Sequence, residues 1–475
     1  MSTHKETQGA PRYDQPAPNL SSAGSTTGKL TSDGQSHLES SSTKESLFSY
    51  YSTRDMAEYL RKIDGRSYNV LNDSYFLPSD ETEWERLDKQ HIAFIIGLKS
   101  LVPCSDVVKA CLAPAPGVTR SILDLGCGTG IWALDMAREY PHASVVGVDL
   151  APTPVEADST PPNCRFELDD VNMGLSHFYD SFDVVHARLI SSGIKDYRKM
   201  MEEAERCLKP GGVVIFVDYD AQFCAEDQVS RQPMAETNEN GSWLVRCSHE
   251  MRNGAPLRGS DIMGMEKSLD EGLWDHDLCD PETAQAGSLF LPIGAWPRVP
   301  NITKTQEMQF SGALIRQDYT NVFGAVLLVF SRMGIPSDVV EQWKPRVIEE
   351  LESSRLHMWA RTRLAWARRR EAPGMPAPPL PISPAPETEA SQSIRDAGPT
   401  SISPDNNAVD SAPIPISSKG EILKDYQFLH LYKTKEECVA AAKFRDESLG
   451  PVPVPWVLQV MAAAQAAAGA NPPKQ

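Results

Sequence analysis

The sequence predicts an α/β protein with a mostly parallel sheet and helices on both faces. Short apolar runs rich in branched residues, typical of buried strands, alternate with segments whose apolar residues recur at helical spacing. A glycine-rich turn separates the first of these strands from the first helix. Such alternation is typical of strand–helix–strand units, whose crossover connections join parallel strands.

Five strands and two helices are predicted for the middle of the chain. The strands lie at 121–126, 144–150, 164–170, 181–189 and 211–219. Between the first two strands, apolar residues recur about one helical turn apart from Ile131 to Tyr140, which predicts a helix. The segment before the fifth strand is also predicted to be helical and to end at Pro210.

The pattern is less regular after the fifth strand. Residues 221–285 lose the alternation, and we predict that they form an insertion that caps the substrate site. Residues 288–294 and 357–369 are candidates for two late strands. The apolar segment 321–334, which lies between them, favours a core helix.

The chain divides into a folded middle and two ends of different composition. Residues 1–45 contain almost no large apolar side chains and are predicted to be disordered, because they cannot bury enough surface to offset the entropy of ordering. Residues 371–420 are rich in proline and serine, which indicates an extended linker. We predict a helical cap at 46–110, the main domain at 111–370, and a C-terminal tail with helical spacing at 421–475.

Charge and composition argue against several classes of function. The formal net charge of −18 at pH 7 repels phosphate backbones, so nucleic-acid binding is not expected. No apolar run approaches the ~20 residues of a membrane helix, and the N-terminus lacks the apolar stretch of a signal peptide. The nine cysteines lack zinc-ligand spacing and are predicted to be reduced core thiols, so no metal is expected. We therefore expect a protein of the cytoplasm or nucleus that binds a small molecule or a protein partner.

The strongest functional signal is the glycine loop in "ILDLGCGTG", residues 122–130. Gly126, Gly128 and Gly130 follow a predicted strand and precede a predicted helix, where open α/β sheets bind their ligands. Glycines let the backbone approach a ligand, and the helix N-terminus offers free N–H groups. The spacing differs from the dinucleotide pattern G-x-G-x-x-G, and no Lys-Ser/Thr pair follows to hold phosphates.

Two acids indicate which ligand the loop suits. Asp124, at the end of the first strand, would repel a pyrophosphate but suits a ligand that carries positive charge. S-adenosylmethionine has a sulfonium and an ammonium group and no phosphate. Asp149, at the end of the second strand, is placed to accept hydrogen bonds from two ribose hydroxyls. The sequence therefore predicts S-adenosylmethionine as the cofactor.

Longer stretches of the chain resemble a known family. The motifs of class I methyltransferases resemble residues 123–152, 166–189 and 205–212. More narrowly, "GRSYNVLNDSYFLPSDETEWERLDKQH" (65–91) and "LPIGAWP" (291–297) are similar to segments of the fungal LaeA-like methyltransferases. The resemblance covers residues from about 50 to 370 and leaves both ends of the chain unexplained.

The resemblance implies a Rossmann-like fold with a mostly parallel seven-stranded sheet, whose last strand is antiparallel, and a helical N-terminal cap over the cofactor. It implies that Asp124 and the three glycines line the methionine end of the cofactor, and that Asp149 binds the ribose. It also implies that Asp170 bonds the adenine amino group, with the N–H of Val171 opposite.

Four side chains are further candidates for the site. His186 and Arg188 follow the fourth strand and, by the resemblance, would face the transferred methyl group. His91 lies in the cap, and either histidine could act as a base for an oxygen or carbon acceptor or be structural. Tyr75 could close over the cofactor or only pack within the cap. Arg188 could hold an acidic substrate or pair with Asp183.

The expected function is S-adenosylmethionine-dependent methyl transfer to a small-molecule acceptor of secondary metabolism. An alternative stays open, because LaeA-like proteins are associated with control of secondary-metabolite expression. The chain would then bind the cofactor and act through regulatory protein partners. The spacing of the glycines disfavours a third function, that of an NAD-dependent oxidoreductase.

Overall fold

The fold is built around a mixed sheet of eight strands. The computed structural model describes residues 58–63, 65–353, 355–380 and 424–470, and the helices and strands given below lie in these ranges. The predicted disordered tail at 1–45 lies outside the described residues, as does most of the predicted linker at 371–420.

The cap begins with a hairpin before its helices. Its elements are β1 (Leu60–Ile63), β2 (Arg66–Asn69), α1 (Glu81–Leu98) and α2 (Ser105–Cys111). The two strands pair antiparallel in a small sheet of their own. The Asp80 side chain accepts a hydrogen bond from the N–H of Glu83 and so caps the start of α1. The cap is therefore helical as predicted only from Glu81 onward, and the hairpin was not expected.

The middle of the chain alternates strands and helices. Its elements are β3 (Arg120–Leu125), α3 (Ile131–Glu139), β4 (Ala143–Asp149), β5 (Cys164–Leu168), β6 (Phe182–Arg188), α4 (Tyr197–Cys207) and β7 (Leu208–Tyr219). The five strands pair parallel to one another. All five predicted strands and both predicted helices are confirmed.

The remainder of the chain supplies three strands and six helices. They are α5 (Trp243–Gly254), α6 (Ile262–Glu271), β8 (Gln285–Pro292), α7 (Ile302–Arg332), α8 (Ser337–Ser353), β9 (Trp359–Arg368), β10 (Leu429–Tyr432), α9 (Lys435–Glu447) and α10 (Trp456–Ala470). The two predicted late strands are confirmed as β8 and β9, and α7 contains the predicted core helix. The segment 221–285, which showed no regular pattern, contains helices α5 and α6.

The strand order from edge to edge is β10-β8-β9-β7-β6-β3-β4-β5. Without β10 this is a mostly parallel sheet of seven strands, and its last strand in the chain, β9, runs antiparallel to both neighbours as predicted. The predicted count of seven is wrong by one, because β10 adds to the edge of β8. Residues 429–432 gave no strand signal, because four residues are too few to show an alternation of apolar and polar side chains. They also lie in a stretch whose apolar residues recur at helical spacing.

Two apolar clusters cover the two faces of the sheet. Neighbouring residues of one strand belong to different clusters, as Val184 and Val185 of β6 do, because successive side chains point to opposite faces. From β3 the chain extends the sheet first through β4 and β5 and then, on the other side, through β6 and β7. The carboxyl ends of β3, β4 and β6 therefore flank a point where strand order reverses, which is where such sheets bind ligands.

Candidate active site

A cleft opens at the carboxyl ends of β5, β4, β3 and β6, and most of the predicted site residues line it. These are Tyr75, Asp124, Gly126, Gly128, Asp149, Asp170, Val171, His186 and Arg188. Two predicted site residues, Gly130 and His91, do not line the cleft. The fold thus brings together residues that span more than a hundred positions of the chain.

The glycine loop leaves β3 in a conformation that favours glycine. Gly126, Gly128 and Gly130 have positive φ angles of 68°, 58° and 79°. A Cβ atom on Gly126 would lie 2.2 Å from Cγ2 of Ile190, and one on Gly130 would lie 2.6 Å from the Phe166 ring. Gly130 lies at the start of α3, so it contributes to the conformation of the turn and not to the wall of the cleft. The loop therefore presents bare backbone to a ligand.

The backbone of the glycine loop holds Asp149 at the end of β4. Its Oδ2 accepts a hydrogen bond from the N–H of Gly128 at 2.8 Å, and its Oδ1 accepts one from the N–H of Ala151 at 3.1 Å. Burial raises the pKa of Asp149 although these bonds favour the carboxylate. Each oxygen keeps a second lone pair, so the side chain can accept from two adjacent hydroxyl groups of a ligand.

Asp124 and His186 face each other from adjacent strands. They are register partners in β3 and β6, and Oδ1 of Asp124 lies 2.8 Å from Nδ1 of His186. The imidazole also stacks on Trp132, with ring centroids 3.8 Å apart. Burial lowers the pKa of His186, which keeps the ring neutral at pH 7. Nδ1–H then donates to Asp124, and Nε2 is left as an acceptor.

Arg188, at the end of β6, contacts His91 of the cap. A guanidinium nitrogen lies 3.1 Å from Nδ1 of His91, and the guanidinium carbon lies 5.1 Å from the centroid of the Phe94 ring. Nε2 of His91 lies 3.1 Å from Oδ2 of Asp135, and burial lowers the pKa of this histidine. Asp183, at the opposite end of β6, pairs with other cations. The predicted pairing of Arg188 with Asp183 is therefore wrong.

The cap closes one side of the cleft. Thr129, in the glycine loop, donates a hydrogen bond to Asp88 of α1 at 2.7 Å. Tyr75 packs against the loop after β6, where a Cβ on Gly193 would lie 3.4 Å from the tyrosine ring. Burial raises the pKa of Tyr75, so its phenol stays protonated. Two separate segments of the cap therefore contact the walls of the cleft.

A second cavity adjoins the cleft. The two share the walls made by Tyr75, Leu87, Gln90 and Leu189. The rest of the cavity is mainly apolar and is lined from α5 and α7 by Leu244, Cys247, Met251, Val322, Phe323 and Val326, among others. The segment 221–285 thus supplies one wall of this cavity through α5.

The charged side chains of the second cavity are paired with each other. Arg86 bonds to Glu83 at 2.6 Å and to Asp318, and Gln90 donates to Asp318 at 3.2 Å. The two carboxylates hold the pKa of Arg86 above its ordinary value despite burial. Arg86 and Asp318, the two charged side chains in the described lining, are therefore paired with each other, and the rest of that lining is apolar or uncharged.

Comparison with known proteins places these features in a family. Residues 101–253 match the family described as Methyltransferase domain. The chain is 46% identical over 182 residues to the secondary metabolism regulator laeA of Coprinopsis cinerea, which covers 38% of this chain and 44% of that protein. Residues 101–253 therefore form a methyltransferase domain, and the chain is similar to LaeA over part of its length.

Two further relatives carry methyltransferase names. The LaeA-like chain is 32% identical over 186 residues to the protein-methionine methyltransferase laeA of Emericella nidulans, with 38% of this chain and 47% of that protein covered. It is 28% identical over 257 residues to the methyltransferase pytC of Aspergillus terreus, with 54% and 70% covered. The chain spans less than half the length of the two laeA relatives that it matches. A methyltransferase domain implies a methyl donor as its cofactor.

Sequence reasoning missed part of the cleft of this LaeA-like domain. Asp169 lines the cleft beside Asp170, and Asn172 ties the turn after β5 to the loop after β6 by donating to the carbonyl of Gly193 at 2.9 Å. The acid pair in "ELDDVN" was a signal for the first of these residues. The bond from Asn172 had no local signal, because its partner lies 21 positions away.

Asp218 is a second residue that sequence reasoning did not assign. Near the end of β7, its carboxylate accepts from the N–H of Ile190 at 3.2 Å and of Ser191 at 3.0 Å, and from the hydroxyls of Ser191 and Tyr197. Burial raises the pKa of Asp218 to about 6. Asp218 thus anchors the loop after β6, which lines the cleft of the LaeA-like domain.

The described residues show neither a metal site nor a membrane-spanning helix. They contain no group of three or more His, Cys, Asp or Glu side chains that could hold a metal ion. All nine cysteines are buried and free. Every helix in the described ranges is too short or too polar to cross a lipid bilayer.

Proposed function

We propose that this chain transfers a methyl group from S-adenosylmethionine to a small, mainly apolar acceptor of secondary metabolism. The observation that carries the proposal is the wall shared by the cleft and the second cavity. The cleft has the acids and bare backbone that suit a cationic nucleoside, and the adjoining cavity has the apolar lining that suits an uncharged acceptor. A donor and an acceptor would therefore meet at the wall that contains Tyr75.

The donor site fits S-adenosylmethionine in its chemistry. Asp124 offers negative charge at the end of β3, and Asp149 offers two acceptor oxygens for ribose hydroxyls. Asp170 and Val171 lie along the same edge on the side of β5, where the adenine would bind. The names of the relatives, a regulator of secondary metabolism and two methyltransferases, support both the cofactor and the metabolic context.

Positioning is the main contribution of the chain to this reaction. When bound, S-adenosylmethionine supplies a methyl group already activated by its sulfonium. Helices α5 and α7 would hold the acceptor and keep water out, and holding two reactants in line can contribute up to ~7–11 kcal/mol.

His186 is the base that we propose for an acceptor oxygen or carbon. Its neutral ring donates through Nδ1 to Asp124, so Nε2 can take the proton that such an acceptor releases. Asp124 would then stabilise the charged ring. His91 does not line the cleft, and both of its ring nitrogens are occupied, so we assign it no proton transfer.

We expect the purified protein to bind S-adenosylmethionine and its demethylated product, but neither NAD nor ATP. The acids that line the cleft would repel a pyrophosphate, and the glycine loop has no phosphate-binding lysine. Isothermal titration calorimetry with each ligand checks this expectation. Binding of NAD, or no binding of S-adenosylmethionine at millimolar concentration, would contradict it.

Asp149→Ala is expected to weaken binding of the donor by about 2–4 kcal/mol, because two ribose hydroxyls lose a charged acceptor. Calorimetry measures the change in Kd, and thermal melting shows whether the variant is folded. Asp158→Ala is the matched control, since Asp158 is an exposed acid in the connection between β4 and β5. A folded Asp149→Ala variant with an unchanged Kd would remove Asp149 from the ribose site.

Donor binding is expected to slow hydrogen exchange in the cap as well as in the glycine loop. Tyr75 lines the cleft, and α1 is bonded to the loop through Asp88, so closing over the donor should stabilise residues 66–98 together with 124–130. Hydrogen exchange with mass spectrometry checks this, and Tyr75→Ala should reduce the protection of the cap. Protection confined to 124–130 would make the cap purely structural.

The acceptor itself can be sought with an isotopically labelled donor. Incubating a cell extract with wild-type protein and labelled S-adenosylmethionine should place label in a small molecule, and Asp149→Ala should abolish the transfer. Label in a protein fraction would instead favour a methionine side chain of a protein as the acceptor, as the name of the Emericella nidulans relative suggests. Donor binding without any transfer would favour a regulator that acts through protein partners, as the name of the Coprinopsis cinerea relative suggests.

A further inference from the structure

Arg188 is the one Lys or Arg among the described residues that line the cleft, whereas four aspartates line it. Its guanidinium contacts a neutral imidazole and an aromatic ring. Burying a cation costs free energy unless an anion compensates its charge. Arg188 has no such anion within salt-bridge distance in the described part of the chain.

Contacts with His91 and Phe94 of the cap hold the orientation of the Arg188 guanidinium. Nδ1 of His91 accepts a hydrogen bond from Arg188 at 3.1 Å, which leaves the ring proton on Nε2 to be donated to Asp135 at 3.1 Å. The face of the Phe94 ring packs against the same group. This hydrogen bond uses one of the five N–H donors of the guanidinium, and the side chain lines the cleft.

The strand order determines which end of a ligand reaches Arg188. The order β6-β3-β4-β5 puts Arg188 two strand spacings from Asp149 and three from the turn that holds Asp170, or about 10 and 14 Å at 4.8 Å for each spacing. A donor with adenine beside β5 and ribose beside β4 extends its amino-acid end toward β3 and β6. That end carries a carboxylate, which the aspartates of the cleft repel and an arginine attracts.

We propose that Arg188 binds the α-carboxylate of the methyl donor and so makes the cleft select ligands that keep their amino-acid end. The planar fork of a guanidinium matches the two oxygens of a carboxylate, and Asp124 on the adjacent strand is left for the ammonium group. His91 acts as a positioning residue for Arg188. The inference rests on the proposed cofactor, and it replaces the expectation that Arg188 faces the transferred methyl group.

The test compares S-adenosylmethionine with decarboxylated S-adenosylmethionine, which differs from it only by lacking this carboxylate. Calorimetry is expected to show that the wild-type protein binds the complete donor about 10- to 100-fold more tightly, as a charge-assisted bidentate pair allows. In Arg188→Gln this preference should fall to about threefold or less, because binding of the complete donor weakens while the decarboxylated compound is bound at least as tightly as by the wild type. Retained binding of the decarboxylated compound also shows that the cleft is intact.

Two further variants make the result specific. Asp149→Ala should weaken both compounds equally and keep the preference between them, since both contain the ribose. Arg188→Lys retains the positive charge without the paired N–H donors of a guanidinium, so it should keep only part of the preference. If the glutamine variant does not fold, the lysine variant tests whether Arg188 binds the carboxylate. A full preference in either folded Arg188 variant would overturn the inference. A wild-type protein that binds neither compound would instead refute the proposed cofactor, and the inference with it.

Discussion

Asp220→Asn is expected to lower the free energy of unfolding by about 3–5 kcal/mol, the usual cost of breaking a buried ion pair. Asp220 is buried beside three buried arginines: its carboxylate lies 2.7 Å from Nε of Arg361 and 3.1 Å from a guanidinium nitrogen of Arg363, and it also bonds to Arg231. These cations outweigh burial and hold the pKa of Asp220 well below its usual range. A neutral amide would remove the one carboxylate that all three arginines contact and would leave Arg361 and Arg363 with Asp270.

Urea unfolding of wild type and variant measures this loss. Asp446→Asn is the matched control, because Asp446 contacts the same Arg231 at 3.3 Å but is 69% exposed. That substitution should change stability by less than about 0.5 kcal/mol. A loss for Asp220→Asn no larger than that of the control would show that the arginines find other partners.

The same pair of proteins gives a pH dependence. A carboxyl group whose pKa is depressed by folding stabilises the protein above its unfolded-state value, about 3.9, and loses that contribution as pH falls toward the folded-state value. The stability difference between wild type and Asp220→Asn should therefore be constant at neutral pH and shrink below about pH 4. A difference that shrank already near pH 6 would assign the effect to another group.

Removing residues 381–475 is expected to lower the melting temperature strongly or to abolish cooperative unfolding. The low apolar content of residues 372–475, apart from a possible helix near 423–449, predicts instead that a chain without this segment keeps a folded, cofactor-binding core. The structure contradicts this, because β10 extends the sheet at β8, and Tyr426 and Phe428 are 7% and 6% exposed within the main apolar cluster. Burying one such side chain contributes about 1.5–3 kcal/mol, so two of them with a strand exceed what a marginally stable domain can lose without effect.

Point variants separate this effect from general damage by truncation. Phe428→Ala should destabilise the chain by about 3–5 kcal/mol as a buried aromatic truncation. Phe444→Ala should cost less than about 1 kcal/mol, because Phe444 lies on α9 of the same tail and is 53% exposed. Calorimetric melting of the three proteins checks both values. Equal losses for the two variants, or a truncated chain that melts like the wild type, would mean that the tail does not stabilise the core.

The cleft could be predicted because its signals are local. Asp124, the glycines and Asp149 occur within 26 consecutive positions, and each stands where a strand ends or a helix begins. A parallel strand buried on both faces must be a short apolar run, so its end can be read from the sequence. The residues at such ends meet at one edge of the sheet, which is why nine of the eleven predicted site residues line one cleft.

The second cavity, in which we propose that the acceptor binds, could not be predicted in the same way. It is made by α1, α5 and α7, which lie far apart in the chain, and Arg86 finds Asp318 across 232 positions. The apolar spacing of α7 is that of any core helix, so nothing in it marks a cavity. The partners of Arg188 show the same limit, since the expected Asp183 lies near it in the chain but at the other end of the strand.

The sequence by itself determined the strand–helix alternation, the parallel sheet and the glycine loop, because each is a consequence of local spacing and of what single residue types permit at a turn. Only the tertiary structure decided what pairs with what: Asp220 with its three arginines, Asp218 with the loop after β6, Arg188 with His91, and the tail with β8. The physical reason is that burial makes a charge or a strand edge need a partner without specifying where in the chain that partner lies.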